Sequence, residues 1–386
     1  MEIKNTSKTF CIFSAMYLPH IGGVERYTYN LAKQLEASGH KVIIATSSTR
    51  KMQAIEINNN IKIYRLPCIN LLNGRFPVLK LNSELIKLKR KMKKEGIDYV
   101  LINTRFYIHS LFGLQFARSI SAKSAVIEHG SAHLTIGSWF WDSVGHIYEH
   151  FITSIVKLYA KDFIGVSAAC NQWLQHFGIK ANGVFYNAVD LEEINKLNAS
   201  PVRNFRNEYS ISPDTIVIAY AGRLIPEKGI RELIQAYKLL EERGMNVKLL
   251  LAGAGPLAEE IKTFESENII LIGTVSFPEV IALFSQSDIS TAPSYSEGFP
   301  TSVLESAACG CFCIASKQGG AKELIKDENY GLIVDEITPK AIAEAIYKAA
   351  NDEKYRKSAA QKAQEMVRDN FHWGVTAKKI EEYFKT

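Results

Sequence analysis

The sequence predicts an α/β protein of two Rossmann-like, parallel-sheet domains that face each other across a cleft. Short apolar runs rich in β-branched residues alternate with helical patterns, an order typical of right-handed βαβ units. These runs are apolar almost throughout, as expected for strands covered on both faces of a sheet. The alternation occurs in two series, and a chain of 386 residues is long enough for two domains of ordinary size.

The predicted elements fall on either side of a polar stretch at 187–207 that has no strong periodicity. Strands of the first series are predicted at Thr9–Ala15, Lys41–Ala45, Tyr99–Ile102, Ser124–Glu128 and Phe163–Val166. Strands of the second are predicted at Thr215–Ala221, Val247–Ala252, Ile269–Gly273, Ile289–Ala292 and Phe312–Ala315. Predicted helices include Gly23–Ser38, Gly229–Arg243 and Pro278–Ser285. The predicted domains are 1–195 and 196–368, followed by a C-terminal helix at 369–386 that returns to the first domain.

Composition excludes several classes of protein. Hydrophobic residues make up 47 % and charged residues 22 % of the chain, which is typical of a globular protein. The net charge of +6 is too small by itself to indicate a nucleic-acid binder. No apolar run approaches the roughly 20 residues that span a bilayer, and the N-terminus lacks a signal-peptide pattern, so we expect a cytoplasmic protein.

Three short patterns resemble known motifs but lack their context. Cys309, Cys311 and Cys313 have no second ligand cluster, so buried free thiols are favoured over a zinc site. The G-x-G-x-x-A at 253–258 lacks the acid about 20 residues on that a dinucleotide site needs, so a tight turn is favoured over an NAD-dependent oxidoreductase. The H-x-x-E-H at 146–150 matches a metalloprotease pattern, but its surroundings look aromatic and loop-like.

Two cations follow a strand of the second series. Arg223 and Lys228 lie between the strand ending near Gly222 and a helix beginning near Gly229. Cations at the carboxyl end of a strand, beside a helix N-terminus, suit an anion such as a diphosphate. An ordinary solvated loop is the alternative.

Two acids follow the strand that ends at Ala292. Glu297 precedes Gly298, Phe299, Pro300 and Thr301, and the helix that follows carries Glu305. If the interval were helical, the acids would lie about 12 Å apart, too far for a glycosidase pair. They suit contacts with two hydroxyl-bearing parts of one ligand. Helix capping by Glu297 and a solvated helix face for Glu305 are the alternatives.

In the first half, two features lie at carboxyl ends of strands. Gly22 and Gly23 open a helix after the first strand and leave bare backbone there. His129 follows the strand Ser124–Glu128, where ligands of open α/β sheets bind. A structural histidine is an equally good interpretation.

Taken together, these residues resemble family-4 retaining glycosyltransferases of the GT-B fold. The resemblance covers nearly the whole chain, and its most specific part is E-x7-E, from Glu297 to Glu305. The supporting segments are IGGVERY at 21–27, YNAVD at 186–190, GRLIPEKG at 222–229, GAGPL at 253–257, and Gly319-Gly320 with Glu323. Asn187-Ala188 replaces the frequent Asn-Gly, and Cys311 replaces a frequent proline.

The resemblance implies a role for each matched position. Arg223 and Lys228 would neutralise the diphosphate of a nucleotide-sugar donor. Glu297 would contact the donor sugar, Glu305 the ribose, and His129 would face the reacting carbon. The implied donor-binding set is Gly22, Gly23, Arg223, Lys228, Glu297, Gly298, Phe299, Pro300, Thr301 and Glu305. The implied catalytic set is His129, Arg223, Lys228 and Glu297.

The implied reaction transfers a sugar from a nucleotide diphosphate, with uridine favoured over guanosine, to a glycan or lipid-linked acceptor in cell-surface polysaccharide synthesis. The anomeric configuration would be retained, and no metal or other cofactor would be required, in line with the absence of a D-x-D motif. A sugar-nucleotide-binding protein or an epimerase of the same fold is the alternative, and an NAD-dependent oxidoreductase a more distant one.

A basic segment at 79–94 suggests a second partner. Leu81, Leu85, Leu88 and Met92 repeat at helical spacing. The cations on the other faces are Lys87, Lys89, Arg90, Lys91, Lys93 and Lys94. They predict either a solvated helix face or peripheral contact with anionic lipid at the cytoplasmic membrane. Nucleic acid is not expected, because no aromatic residues interleave with these cations. Trp139, Phe140 and Trp141 would line an acceptor groove, touch membrane or lie in the core.

Overall fold

The structure, a computed structural model, describes residues 7–20, 22–71, 76–133 and 139–385. The chain forms two compact units, with boundaries at 187/188 and 372/373, where the sequence placed them at 195/196 and 368/369. The first unit includes the last helix of the chain. Ile21, the first residue of IGGVERY, lies outside the described residues.

A seven-stranded sheet forms the centre of the first unit, in the order β3-β4-β2-β1-β7-β8-β9. The strands are β1 (Thr9–Ser14), β2 (Lys41–Ser47), β3 (Ile55–Asn58), β4 (Ile61–Leu66), β7 (Tyr99–Asn103), β8 (Lys123–Glu128) and β9 (Phe163–Gly165). A separate antiparallel pair consists of β5 (Cys68–Leu71) and β6 (Phe76–Leu79). All neighbours in the large sheet are parallel except β3 and β4.

The β3–β4 hairpin corrects the prediction of a purely parallel sheet. Asn59 and Asn60 join its strands, and both have positive φ angles, 47° and 66°. Two-residue hairpin loops favour such angles because their twist matches that of the strands, and asparagine tolerates them well. The three asparagines at 58–60, between two segments in which isoleucine alternates with polar residues, are the signal in the sequence that predicts this hairpin.

The described residues of the first unit include six α-helices. They are α1 (Gly23–Ala37), α2 (Ser83–Lys93), α3 (Ile108–Ser119), α4 (Trp139–Tyr159), α5 (Ala168–His176) and, at the C-terminus, α15 (Trp373–Lys385). Helices α2, α3 and α4 contribute Leu85, Leu114 and Val156 to one continuous apolar core. They therefore cover the same face of the sheet. Helix α2 begins after Asn82, whose side chain accepts a hydrogen bond from the Leu85 amide, so Leu81 is outside the helix and exposed, not part of its apolar face.

The second unit is built on a six-stranded parallel sheet in the order β12-β11-β10-β13-β14-β15. Its strands are β10 (Ile216–Ala221), β11 (Val247–Ala252), β12 (Ile269–Gly273), β13 (Ile289–Ala292), β14 (Phe312–Ser316) and β15 (Leu332–Val334). This is the 3-2-1-4-5-6 order of a dinucleotide-binding fold. The order reverses between β10 and β13, and ligands of such sheets bind at the carboxyl ends of those two strands.

Short helices connect these strands and cover the sheet. They are α6 (Leu191–Ala199), α7 (Phe205–Glu208), α8 (Ile230–Glu242), α9 (Ala258–Lys262), α10 (Phe277–Ser285), α11 (Thr301–Ala308), α12 (Ala321–Leu324), α13 (Pro339–Asn351) and α14 (Glu353–Asn370). Ser276 and Glu279 cap α10 reciprocally, and Asp190 caps α6. Helices α6 and α7 thus occupy the stretch at 187–207 that the sequence predicted to be irregular.

Candidate active site

The carboxyl ends of β10 and β13 bring together two loops that the sequence singled out. The β10 loop carries Arg223 and Lys228, and the β13 loop carries Glu297. Lys228 Nζ donates to Glu297 Oε1, which also accepts a 3.0 Å hydrogen bond from Ser294 Oγ. Both charged side chains are largely buried, with 17 % and 19 % of their surface exposed. The two predicted residues therefore form one charged centre at the switch point of the sheet.

Glycine allows the two loops to pack backbone to backbone. Gly229 has a φ of +67°, and a Cβ there would lie 2.0 Å from the carbonyl oxygen of Pro293. On the other side of Glu297, Gly319 has a φ of +68°, and a Cβ would lie 2.4 Å from the carbonyl oxygen of Glu297. No side chain fits at either position, so the backbone on which Glu297 is carried is fixed by the glycines on both sides of it.

The GAGPL loop packs against the β10 loop. The Leu224 amide donates to the Ala254 carbonyl at 2.9 Å, and the Leu257 amide donates to the Leu224 carbonyl at 3.1 Å. The following helix, α9, has only five residues. This geometry agrees with the tight turn favoured over a dinucleotide fingerprint.

Arg223 is exposed beside this centre. Its carbonyl accepts a 2.9 Å hydrogen bond from the hydroxyl of Tyr220, which holds the loop backbone in place. Burial raises the pKa of Tyr220 and the charge of Glu297 raises it further, so the hydroxyl stays protonated as a donor. The guanidinium of Arg223 therefore extends from a fixed backbone.

The segment after Glu297 separates buried side chains from backbone that faces outward. Phe299 is buried with its ring centroid 5.3 Å from that of Phe371, so its side chain belongs to the core. Pro300 is the N-cap of α11 and Thr301 its first residue, both partly or fully covered. The Gly298 carbonyl accepts a 2.9 Å hydrogen bond from the Gly320 amide. The Phe299 side chain is therefore not available to a ligand here.

Glu305 lies in α11 and is buried, with 5 % of its surface exposed. The alternative that Glu305 sits on a solvated helix face is therefore wrong. Capping by Glu297 is wrong as well, because Pro300 is the N-cap of α11 and Glu297 contacts Lys228 and Ser294 instead. The helix covers only the second half of the E-x7-E interval.

His129 lies in the first unit, directly after β8. Its Nε2 donates to Asn103 Oδ1 at 2.9 Å, and the Asn103 amide donates to Thr28 Oγ1 at 2.7 Å. The ring of Tyr27 meets that of His129 edge to face at 4.7 Å. Burial lowers the pKa of His129 to about 3, so the imidazole is neutral at physiological pH. Asn103 and Thr28 orient this ring, and the sequence analysis did not identify either of them.

A buried ion-pair network supports the loop that carries His129. Arg105 donates to the carboxylates of Glu128 and Glu149, and all three are buried. Glu128 Oε1 accepts hydrogen bonds from the amides of His129 at 3.1 Å and Gly130 at 2.9 Å. Both sides of the Glu128 carboxylate are therefore used. Only the fold brings Arg105 to these acids, 23 and 44 residues further along the chain.

The two glycines at the start of α1 differ from each other. A Cβ at Gly22 would lie 2.4 Å from Glu25 Oε2, whereas a Cβ at Gly23 would meet nothing within 4 Å. A side chain at Gly22 would therefore require the Glu25 carboxylate to move, while Gly23 is exposed and tolerates a side chain. These two positions belong to the first unit, as does His129.

The remaining sequence motifs also have defined places. Cys311 and Cys313 are buried free thiols, and burial raises the pKa of Cys309 to about 12. Thiols that stay protonated make poor metal ligands. The H-x-x-E-H pattern lies within the 21-residue helix α4, which corrects the expectation of a loop-like setting.

Comparison with known proteins agrees with this architecture. Residues 201–366 match the family described as glycosyl transferases group 1, and residues 21–193 match glycosyltransferase family 4. The structure of Anabaena HepE, solved in complex with UDP and glucose, has a TM-score of 0.73 at 17 % identity, over 98 % of this chain and 99 % of that one. The fold is therefore that of a GT-B glycosyltransferase.

Two curated relatives are also glycosyltransferases by name. An uncharacterised glycosyltransferase of Methanocaldococcus jannaschii is 28 % identical over 97 % of each chain. The capsular polysaccharide biosynthesis glycosyltransferase CapM of Staphylococcus aureus is 28 % identical over 61 % of this chain and 64 % of its own. The chain belongs to the group 1 glycosyltransferases, with a family-4 N-terminal region, and is a glycosyltransferase.

Proposed function

We propose that the chain transfers a sugar, with retention of configuration, from a UDP-linked donor to a glycan or lipid-linked acceptor in cell-surface polysaccharide synthesis. The observation that carries the proposal is the Lys228–Glu297 pair at the switch point of the second sheet. HepE was solved with UDP, and CapM acts in capsule synthesis by its name. Both statements concern relatives and support the proposal by similarity.

In the proposed donor site, the ion pair between Lys228 and Glu297 separates when the donor binds. A diphosphate that reaches Lys228 and Arg223 supplies two negative charges, which replace Glu297 as the partner of Lys228. Glu297 then accepts hydrogen bonds from hydroxyls of the donor sugar. The amides at the start of α11 and the partial positive charge of its N-terminus favour the phosphate as well. Glu305, four residues into that helix, is proposed to contact the ribose.

The proposed chemistry is a front-face substitution. The bond from the anomeric carbon to the diphosphate oxygen breaks, and a bond to the acceptor oxygen forms on the same face. The acceptor hydroxyl proton passes to the departing phosphate oxygen. Arg223 and Lys228 stabilise the charge that develops on this leaving group. His129, neutral and held by Asn103, is proposed to face the donor sugar.

Calorimetric titration of the purified chain with UDP, GDP and NAD, with EDTA present, tests the proposal. Saturable binding of UDP that is lost in Lys228→Ala is the expected result. Preference for GDP would retain the transferase and change the donor. Binding of NAD alone would overturn the proposal in favour of an oxidoreductase. Hydrolysis or epimerisation of a bound UDP-sugar without transfer to any acceptor would favour the epimerase alternative.

We also propose that the outer side of the α2–α3–α4 layer contacts anionic lipid at the cytoplasmic membrane face. Five of the six cations of the basic segment are exposed, and Lys89 is partly covered, with its Nζ 5.5 Å from the centre of the Phe112 ring. Helix α2 is docked on the sheet by Leu85, Leu88 and Met92. The outward face is thus available to headgroups, with each cation near the surface contributing about 1 kcal/mol.

Helix α4 adds an apolar surface on the same side. Its exposed apolar side chains are Trp139, Phe140, Trp141, Val144, Ile147, Phe151 and Leu158. Of the three places expected for the Trp-Phe-Trp segment, the core is therefore wrong. Most of these residues follow one another at intervals of three or four, which makes one stripe along the helix. No helix in the described ranges is long and apolar enough to cross a membrane. An apolar stripe and a basic helix in one layer favour an interfacial position.

A further inference from the structure

Four of the nine histidines of the chain lie together in the first unit. His133 follows β8, His146 and His150 lie one turn apart on α4, and His176 ends α5. The Nε2 atoms of His150 and His176 are 3.2 Å apart. One ring nitrogen from each of His133, His150 and His176 lies within 4.8 Å of the other two. None of these residues belongs to the proposed donor site.

This spacing is close to that of a metal-ligand set. Zn²⁺ binds imidazole nitrogens at about 2.0–2.1 Å, so two ligands of a tetrahedral ion are about 3.4 Å apart. The His150–His176 pair already has this separation. His150 and His176 are exposed, so small rotations of their side chains bring all three nitrogens to one ion.

A carboxylate orients His133. Its Nδ1 lies 2.5 Å from Glu149 Oε2, and this contact directs Nε2 away from the acid. Metal-bound histidines generally donate their second nitrogen to a carboxylate in this way. Arg105 fixes the other oxygen of Glu149 and belongs to the network that supports the His129 loop.

His146 is the fourth histidine of the cluster and packs against His133. The rings of His133 and His146 stack at 4.1 Å, and His146 Nε2 is buried without a hydrogen-bond partner among the described residues. A divalent transition metal binds imidazole by accepting a nitrogen lone pair, and three such nitrogens converge here.

We propose that His133, His150 and His176 bind one divalent transition-metal ion of the Zn²⁺ type, with Glu149 as a positioning residue. The bound ion links the loop after β8 to α4 and α5. Three protein ligands leave a fourth position for water. The proposal does not rest on the proposed transferase mechanism, which uses no metal.

The tag-free full-length chain, stripped with EDTA and dialysed, is titrated with Co²⁺ and then with Zn²⁺. We expect the visible absorption of four-coordinate Co²⁺ to saturate at one ion per chain, and Zn²⁺ to displace it. The double variant H150Q/H176Q is expected to lose at least about 100-fold in affinity for Zn²⁺, since two of three ligands are removed. E149Q is expected to lose about 10–100-fold, as a second-shell substitution does.

His372→Gln provides the matched control, because this histidine lies in the second unit. It should leave the Co²⁺ spectrum and the Zn²⁺ affinity unchanged. Circular dichroism establishes whether each variant is folded. If H150Q/H176Q is not, the single variants H150Q and H176Q replace it, because both positions are exposed. The proposal would be overturned if the unaltered chain showed neither visible Co²⁺ absorption nor heat on calorimetric titration with Zn²⁺. It would also be overturned if folded H150Q/H176Q bound Zn²⁺ with the affinity of the unaltered chain.

Discussion

Lys228 and Glu297, 69 residues apart in the sequence, form an ion pair at the point where the strand order of the second sheet reverses. Each residue comes from the loop at the carboxyl end of a different neighbouring strand. The pair thus joins the two positions at which a ligand of this fold class binds. It places a cation and a carboxylate where a sugar diphosphate presents phosphates and hydroxyls.

Lys228→Ala and Glu297→Ala should each lower kcat of sugar transfer by about 10²–10³-fold, the usual effect of removing one group that stabilises developing charge. Circular dichroism should be unchanged, since both side chains lie in loops. The exposed Arg231–Glu260 pair of the same unit supplies the matched control, and Arg231→Ala should retain full activity. Transfer at the original rate in Lys228→Ala would remove Lys228 from the site.

Gly319→Ala should destabilise the second unit more than Gly244→Ala does. Both glycines have positive φ angles, +68° and +72°, so both substitutions carry backbone strain of about 1–2 kcal/mol. Only at Gly319 would the added Cβ also lie 2.4 Å from the Glu297 carbonyl oxygen, while at Gly244 it meets nothing within 4 Å. Urea denaturation measures both free energies of unfolding. Equal losses of free energy would contradict the close packing of the Gly319 backbone against that of Glu297.

Glu128→Gln should lower the free energy of unfolding by about 3–5 kcal/mol, because Arg105 is left buried with one of its two charged partners removed. Glu353, exposed and paired with Lys357 on α14, is the control. Glu353→Gln should cost under about 0.5 kcal/mol, as exposed helix pairs do. A Glu128→Gln chain as stable as the original would show that the network adds no stability.

Stability should fall as the pH drops from about 6.5, in part through His129. Its pKa is near 3 in the folded chain, against an ordinary value of 6.5. Between pH 6.5 and 3, the unfolded chain therefore binds a proton that the folded chain does not. The free energy of unfolding then decreases by about 1.4 kcal/mol per pH unit for this residue. His129→Gln should flatten the profile between pH 6 and 4 by about that slope. An identical slope in the variant would show that His129 is protonated in the folded chain.

Replacement of Lys87, Lys91, Lys93 and Lys94 by serine should weaken binding to vesicles that contain anionic lipid, by about 1 kcal/mol for each cation that reaches the surface. Turnover on a water-soluble acceptor should not change. The same number of serine replacements at exposed lysines of the second unit, Lys262, Lys340, Lys354 and Lys362, is the control. Vesicle sedimentation measures binding, and unaltered sedimentation of the first variant would refute the lipid contact.

The sequence by itself determined the two Rossmann-like units and most of their strands. The bounds of β11, β12 and β13 agree with the predicted ones, because buried parallel strands are continuous apolar runs between turn residues. It also placed Arg223, Lys228 and Glu297 at the carboxyl edge of the second sheet, since residues in the loops after parallel strands lie at one edge of the sheet. The helices at 191–208 were missed because they are short and mostly polar, and the β3–β4 hairpin was missed although isoleucine alternates with polar residues on both sides of its asparagine turn.

Only the tertiary structure decided which of these residues meet. Arg105 reaches Glu128 and Glu149, Asn103 orients His129, and three histidines from separate segments converge, all through contacts between residues distant in sequence. The exposure of the Trp-Phe-Trp segment and the burial of Glu305 were likewise settled by packing. Spacing along the chain predicts which face a residue occupies. It does not predict the neighbour on that face, because the neighbour depends on how sheets, helices and loops pack in three dimensions.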